Sequence, residues 1–303
     1  ERERITRIAR AKNVDETFLV HHLAACVTLA QGVATEDLDD FVDAEKQAIK
    51  RAGSDTGQLV DVLHEALGEE GGVSAIHPDL IGEAYILLAM KARRSDKLSA
   101  EAIQRCYAKF GNKVVESVVR CVMDFSPDEK LPLVWMEGLV KTNWNDPAGL
   151  ESLLQSMPMD SVTLRNTRLQ VAQRVLELVG NEPTESKGFA FHHVAVALSK
   201  LNRPSEALNY AFHAIGIFGE LATRKPNIFN PHLGNAYNTL SIILCSMNKN
   251  EEAVVAAQAA VTIYLNLLLE DTSSDILMHD LGLVFSNLAK FFSNLMKWKE
   301  ASN

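Results

Sequence analysis

The stretch LNRPSEALNYAFHAIGIF, residues 201–218, returns 46 residues later as MNKNEEAVVAAQAAVTIY, residues 247–264. Ala207 thereby matches Ala253, and LMKWKEAS from Leu295 puts Ala301 in register a further 48 residues on. A fixed period of this size marks a chain built from supersecondary units that bury their apolar faces only by stacking on neighbours. The register extends upstream: Phe191, Tyr237 and Phe285 correspond, as do Val194, Leu240 and Leu288, then Ala195, Ser241 and Ala289, then Leu198, Leu244 and Phe292. These columns fall at i, i+3, i+4 and i+7, one face of a helix. The small residues Ala207, Ala211 and Ala214, with Ala253, Ala257 and Ala260, let a second helix approach closely. Each repeat reads as a helix hairpin, the third ending just inside its second helix.

Helical spacing continues upstream of the repeats. Between Gly, Pro and Asn punctuation the pattern predicts helices over about 16–30, 36–50, 55–67, 79–92, 99–109, 112–123, 129–142, 147–156 and 161–179. Only VSAI, residues 73–76, reads as a short strand or wing. The chain is thus expected to be all-α. With 303 residues and 47% hydrophobic composition it can bury a sizeable core, and a net charge of -9 argues against nucleic acid or an anionic membrane as the main partner. Cys26, Cys106, Cys121 and Cys245 lack paired spacing, which fits free thiols in a reducing compartment, and a cytoplasmic location is expected. No apolar run approaches a membrane span, and ERERITRIAR, with neither an initiator Met nor a signal-peptide core, reads as a cut end.

The repeat columns resemble the tetratricopeptide repeat over about 187–303, with 161–180 as half of a degenerate first copy. The period exceeds the usual 34, the excess being assigned to long second helices and to linkers such as TRKPNIFNPH. The resemblance implies a right-handed solenoid whose first helices line a groove for a protein segment or folded partner. The same register puts His192, Asn238 and Ser286 in one groove column, Val196, Ile242 and Lys290 in another, and Lys200, Ser246 and Asn294 in a third.

Residues 1–92, with FLVHHLAACVTLAQGVATEDLDDFV and GGVSAIHPDLIGEAYILLAM, resemble the winged-helix segment after the nucleotide-binding core of STAND NTPases of the NACHT and NB-ARC kind. A winged-helix-like domain over 1–92, a connecting helical region over 93–160 and a repeat sensor over 161–303 is the order that this family implies. The resemblance further implies a nucleotide-binding core upstream in the same chain, ADP or ATP with Mg in the full-length protein, and homo-oligomerisation on activation. In that account trigger binding to the repeats releases an upstream effector, as in antiviral defence. IHPDLIGEA resembles the element whose His contacts the β-phosphate of ADP, so His77 with Asp79 is the nucleotide-sensing candidate. The plainer reading has the two cap the following helix.

Other constellations are weaker. His22 and Cys26 share a helical face at i, i+4, but two ligands make no metal site, and a buried helix explains them. Glu36, Asp37, Asp39, Asp40, Asp43 and Glu45 read as a solvated face, and Lys91, Arg93, Arg94 and Lys97 as charges beyond a helix C-terminus. GEEGG lacks the Lys-Ser/Thr of a phosphate loop, HEALG lacks the second His of a zincin, and GxSxG is absent. The chain is therefore expected to hold no catalytic site and no metal. Its expected role is the regulatory, ligand-sensing region of a STAND NTPase. A free-standing repeat scaffold is the alternative, and an enzyme has no motif in its favour.

Overall fold

In the computed structural model the described residues are 1–50, 53–92, 95–126, 128–180, 182–270 and 274–302, with 270 and 297–302 described as backbone alone. The regular secondary structure of the described residues is helical apart from six strand residues, and the chain divides into an N-terminal unit, Glu1–Asn143, and a C-terminal unit, Trp144–Asn303.

The N-terminal unit runs α1 (Arg2–Ala11), α2 (Thr17–Leu29), β1 (Val33–Ala34), α3 (Thr35–Ala48), α4 (Thr56–Leu67), β2 (Gly68–Glu69), β3 (Gly72–Val73), α5 (Asp79–Lys91), α6 (Asp96–Phe110), α7 (Asn112–Phe125) and α8 (Leu131–Thr142). Asp55 and Ser95 cap α4 and α6 by accepting from the backbone N–H of Gln58 and Leu98. α1 lies where the periodicity predicts no element; it forms because Ile5 and Ala9, at i and i+4, are fully buried while its charged residues face outward. α2 is apolar around its circumference and packs against α1, α4, α5, α6 and α7, so it is the axis of the unit. The predicted strand at 73–76 is realised only at Val73, which pairs antiparallel with both neighbours in the order β1-β3-β2. A Cβ at Gly72 would lie 2.2 Å from the Val33 carbonyl oxygen, so this close crossing requires glycine.

Residues 93–160 do not form a separate region. α6 and α7 pack on α2 and on α8, where Trp135 is fully buried with its indole N–H on Ser99 Oγ at 2.9 Å. α9 packs on α10 instead, which places the division after Asn143.

The C-terminal unit comprises α9 (Pro147–Ser156), α10 (Arg165–Leu178), α11 (Glu185–Lys200), α12 (Pro204–Arg224), α13 (Pro226–Ser246), α14 (Asn250–Glu270) and α15 (Asp275–Ser302). Each helix packs on the next, and α13 also touches α11 and α15. Two hairpins follow the 46-residue period. Asn202 and Asn248 turn them with φ of 57° and 61°, a left-handed conformation that Asn tolerates better than most residues. Ala207, Ala211 and Ala214 are buried, as are Ala253, Ala257 and Ala260.

Two expectations are corrected. TRKPNIFNPH is no linker: Lys225 alone separates α12 from α13, so the long period comes from helices of 21 residues. The third copy makes no hairpin, because α15 runs unbroken through the position where Asn202 and Asn248 turn, occupied here by Met296. The side chain of Ala301 lies outside the described residues. The register itself persists: Ala190, Ala236 and Val284 are buried, and so are Ala197, Ile243 and Phe291. Phe285, whose column mate Phe191 meets Tyr210 and His213 of α12, is 47% exposed, and Phe292 is 43% exposed.

α14 is also long and apolar enough to cross a membrane by length and composition, contrary to the expectation that no run is. In this unit it buries Ala253, Ala257, Ala260 and Tyr264 in its hairpin with α13.

Candidate functional site

The first helices of the repeats, α11, α13 and α15, carry the predicted groove columns. Because α13 touches both α11 and α15, part of these columns meets the neighbouring first helix. His192 is buried, with Nε2 2.9 Å from Thr239 Oγ1, and burial pulls its pKa down to about 4, so the ring is neutral at pH 7. Asn287 Nδ2 donates to Asn238 Oδ1 at 2.9 Å one repeat later. Thr239 and Asn287 occupy the same column, one position beyond that of His192, so the two bonds are copies of one contact between successive first helices. Asn294 Nδ2 likewise lies 3.4 Å from Cys245 Sγ.

His192, Asn238 and Asn294 are therefore joints of the stack. Substituting them is a packing change rather than a surface change. Val196 is half-buried, while Lys200, Ile242, Ser246, Ser286 and Lys290 are exposed. These five form the accessible part of the predicted groove set, with two ammonium groups, two hydroxyls and one aliphatic side chain.

The structure brings His77 and Asp79 together at the start of α5, Nδ1 to Oδ1 3.6 Å, with both side chains about two-thirds exposed (67% and 64%). The N-cap is Pro78 and no side chain bonds the first turn, so neither residue caps the helix as the plainer reading predicts. Instead both line a pocket of about 320 Å³ with Gln31, Glu83 and Arg120. Arg120 Nε donates to Glu83 Oε1 at 2.6 Å. Burial raises the Glu83 carboxyl to about 7, aided by Asp124 and opposed by Arg120. The pocket thus presents an imidazole, a guanidinium and two carboxyl groups beside a helix N-terminus.

The third cluster is one that sequence reasoning saw only in part. His22 and Cys26 meet Glu45, and the three could offer ligand atoms within 4.8 Å of one another. Glu45 comes from the acidic run expected to be solvated, yet it is buried, because its face of α3 also carries Leu38, Phe41 and Val42. Its oxygens already accept from Arg105 Nε and Nη2, each at 2.8 Å, and Oε2 lies 2.7 Å from His22 Nε2. A cation placed here would sit against the guanidinium, so the geometry is that of a buried ion-pair network. Lys91 pairs with Glu129, and Lys97 lies 4.0 Å from Glu101 within α6. Arg93 and Arg94 lie outside the described residues.

No protein-family model and no curated protein matches this chain.

Proposed function

We propose that the C-terminal unit is a tetratricopeptide-type protein-interaction solenoid, and that the chain serves as the regulatory, trigger-sensing region of a STAND NTPase. The observation that carries the first part is the recurrence of one inter-helix contact, His192 to Thr239 and Asn238 to Asn287, beside paired turns at Asn202 and Asn248. Such repetition stacks hairpins in one direction and generates a continuous row of first helices. A peptide or folded partner would lie on Lys200, Ile242, Ser246, Ser286 and Lys290. Acidic and aliphatic groups on the partner would suit this surface.

What supports the second part is the element order α2-β1-α3-α4-β2-β3, with the β2-β3 hairpin as the wing, followed by helices and then repeats. His77 and Asp79 would meet the nucleotide phosphates from the pocket mouth beside Arg120. ADP or ATP with Mg would be held by an upstream core. The switch would then be a two-state equilibrium that a trigger moves by its differential affinity for the closed and open forms. Oligomerisation and effector release would follow opening.

The deciding experiment is nucleotide binding and turnover by the full-length gene product. Absence of a phosphate-binding loop and of any ADP binding would leave the free-standing scaffold. Within that protein, His77→Ala is expected to raise basal effector output while shifting stability by no more than about 0.5 kcal/mol, since the residue is exposed and caps nothing. Unchanged basal output would remove His77 from the switch.

For the groove, Ile242→Asp with Lys290→Glu should abolish capture of an acidic partner by the folded protein and leave the melting temperature nearly unchanged, because both side chains are exposed. Undiminished capture would move the site off the first-helix row.

A further inference from the structure

Met278, Gly282, Phe285, Ala289, Phe292 and Met296 of α15 recur at alternating intervals of four and three residues, so they fall in one narrow stripe along the helix. All six are exposed. Val284 and Phe291, on a different side of the helix by the same spacing, are buried, and α15 packs on α14 and α13. A continuous apolar stripe left open on a helix that already has its support marks a surface for a further helix.

The repeat shows what such a stripe receives. Gly188 and Gly234 stand in the column of Gly282, Ala195 and Ser241 in that of Ala289, and Leu198 and Leu244 in that of Phe292. In the earlier copies all these residues are buried. The two glycines each lie under a ring of the following helix: a built Cβ would fall 2.8 Å from a Phe218 ring carbon at Gly188 and 2.9 Å from Tyr264 Cζ at Gly234. At Gly282 the same point has nothing within 4 Å among the described residues. The third copy therefore repeats the receiving face, glycine notch included, with no ring upon it.

The stripe itself carries the ring that the notch fits. Its spacing is symmetric about the level of Asn287, so a second α15 laid antiparallel across it sets Met278 opposite Met296, Gly282 opposite Phe292 and Phe285 opposite Ala289. Every aromatic ring then meets a small residue of the other copy. A parallel pairing would set Gly282 against Gly282 and Phe285 against Phe285, leaving gaps at one level and collisions at the next. We propose that the chain forms a two-fold dimer through this seam, α15 packing antiparallel on α15 of a second copy. Such an interface is isologous, the same patch serving on both sides. With one helix contributed by each copy it lies at the small end of the size range, so association depends on concentration. It needs no nucleotide and does not rest on the groove or switch readings.

The test is sedimentation velocity of the whole chain without nucleotide, from micromolar to submillimolar concentration, where a monomer–dimer equilibrium is expected. Ala289→Glu should weaken the association at least about 100-fold, because each copy would press an unpaired carboxylate against Phe285 of the other. Its melting temperature in dilute solution should match the wild type, since Ala289 is exposed. Orientation is read with a short bis-maleimide: an equal mixture of Met278→Cys and Met296→Cys chains should cross-link above the background of the four native thiols, and neither variant alone should. A monomer throughout the range, or a dimer that Ala289→Glu leaves intact, would overturn the proposal. Cross-linking of either variant with itself would overturn the antiparallel pairing. A monomer in which Met296→Cys resists maleimide would also overturn it, by assigning the seam to another part of the same chain.

Discussion

Arg105→Met will lower the stability of the N-terminal unit by about 3–5 kcal/mol, the range for stranding one partner of a buried ion pair. Glu45 is 3% exposed and sits where α2, α3 and α6 converge, its two oxygens held by Arg105 and one of them also by His22. Removing the guanidinium leaves a carboxylate in an apolar setting with a single imidazole beside it. Removing both charges is a different experiment. Glu45→Met combined with Arg105→Met should recover most of the loss, because nothing remains to be desolvated and the pair shares one interaction. Urea unfolding of the two single variants and the double gives the coupling directly. A single-variant cost under about 1 kcal/mol would place the pair with ordinary surface bridges and remove the argument.

The same network fixes a pH dependence. Burial alone would raise the Glu45 carboxyl, but the hydrogen bonds from Arg105 and then His22 outweigh it and hold it at about 2, below its ordinary 4.5. A carboxyl depressed on folding contributes stability that is fully present above its unfolded value and is lost as pH falls toward the folded one. Wild-type protein should therefore lose this contribution between about pH 4.5 and pH 2. In Arg105→Met the largest lowering contribution is gone and only His22 remains, so the stability difference between the two proteins should shrink as the pH is lowered from 7 to 3. A difference that stays constant over that range would show that Glu45 does not carry it.

What the sequence made visible follows from which signals survive in one dimension. The hairpins of the C-terminal unit were readable because aromatic, small and alanine columns recur at 46 residues, and recurrence is insensitive to context. The break in the third copy was not read: Ala301 in register led to a third hairpin, whereas Met296 stands where Asn202 and Asn248 turn and α15 runs on. Arg168 and Glu45 were not readable. Both are charged residues whose prior is exposure: Arg168 is covered by other helices that no local window contains, and Glu45, although it shares a helix face with Leu38, Phe41 and Val42, was hidden by the acidic residues around it. His192 failed for a related reason: the register placed it on the first-helix face correctly but could not say that Thr239 would occupy the space in front of it. A division after Asn143 likewise depends on α6 and α7 choosing α2 as their support and α8 choosing α6 and α7, a tertiary fact.

The largest effect expected in the C-terminal unit is at a contact that the columns hid. Gly188 of α11 faces Phe218 of α12, and Gly234 of α13 faces Tyr264 of α14, each pair displaced from the other by the period of 46. A Cβ on Gly188 would fall 2.8 Å from a Phe218 ring carbon, and one on Gly234 would fall 2.9 Å from Tyr264 Cζ. Phe218 cannot easily yield: it is fully buried, edge-on to Phe189 at 5.3 Å, and packed beside His232. Phe218→Ala should therefore cost about 3–5 kcal/mol, the usual loss for emptying an aromatic core site. Gly188→Ala should cost about 1–3 kcal/mol through overpacking, although alanine is the better helix former. Gly216, exposed in the middle of α12 with nothing within 4 Å of a built Cβ, supplies the control. There the same change should gain about 0.5–1 kcal/mol from backbone entropy alone. Opposite signs at Gly188 and Gly216, with Gly188→Ala partly rescued by Phe218→Leu, would locate the effect in the ring contact. Stabilisation by Gly188→Ala would mean that the two helices can separate freely, and the close approach that defines the hairpin would have to be abandoned.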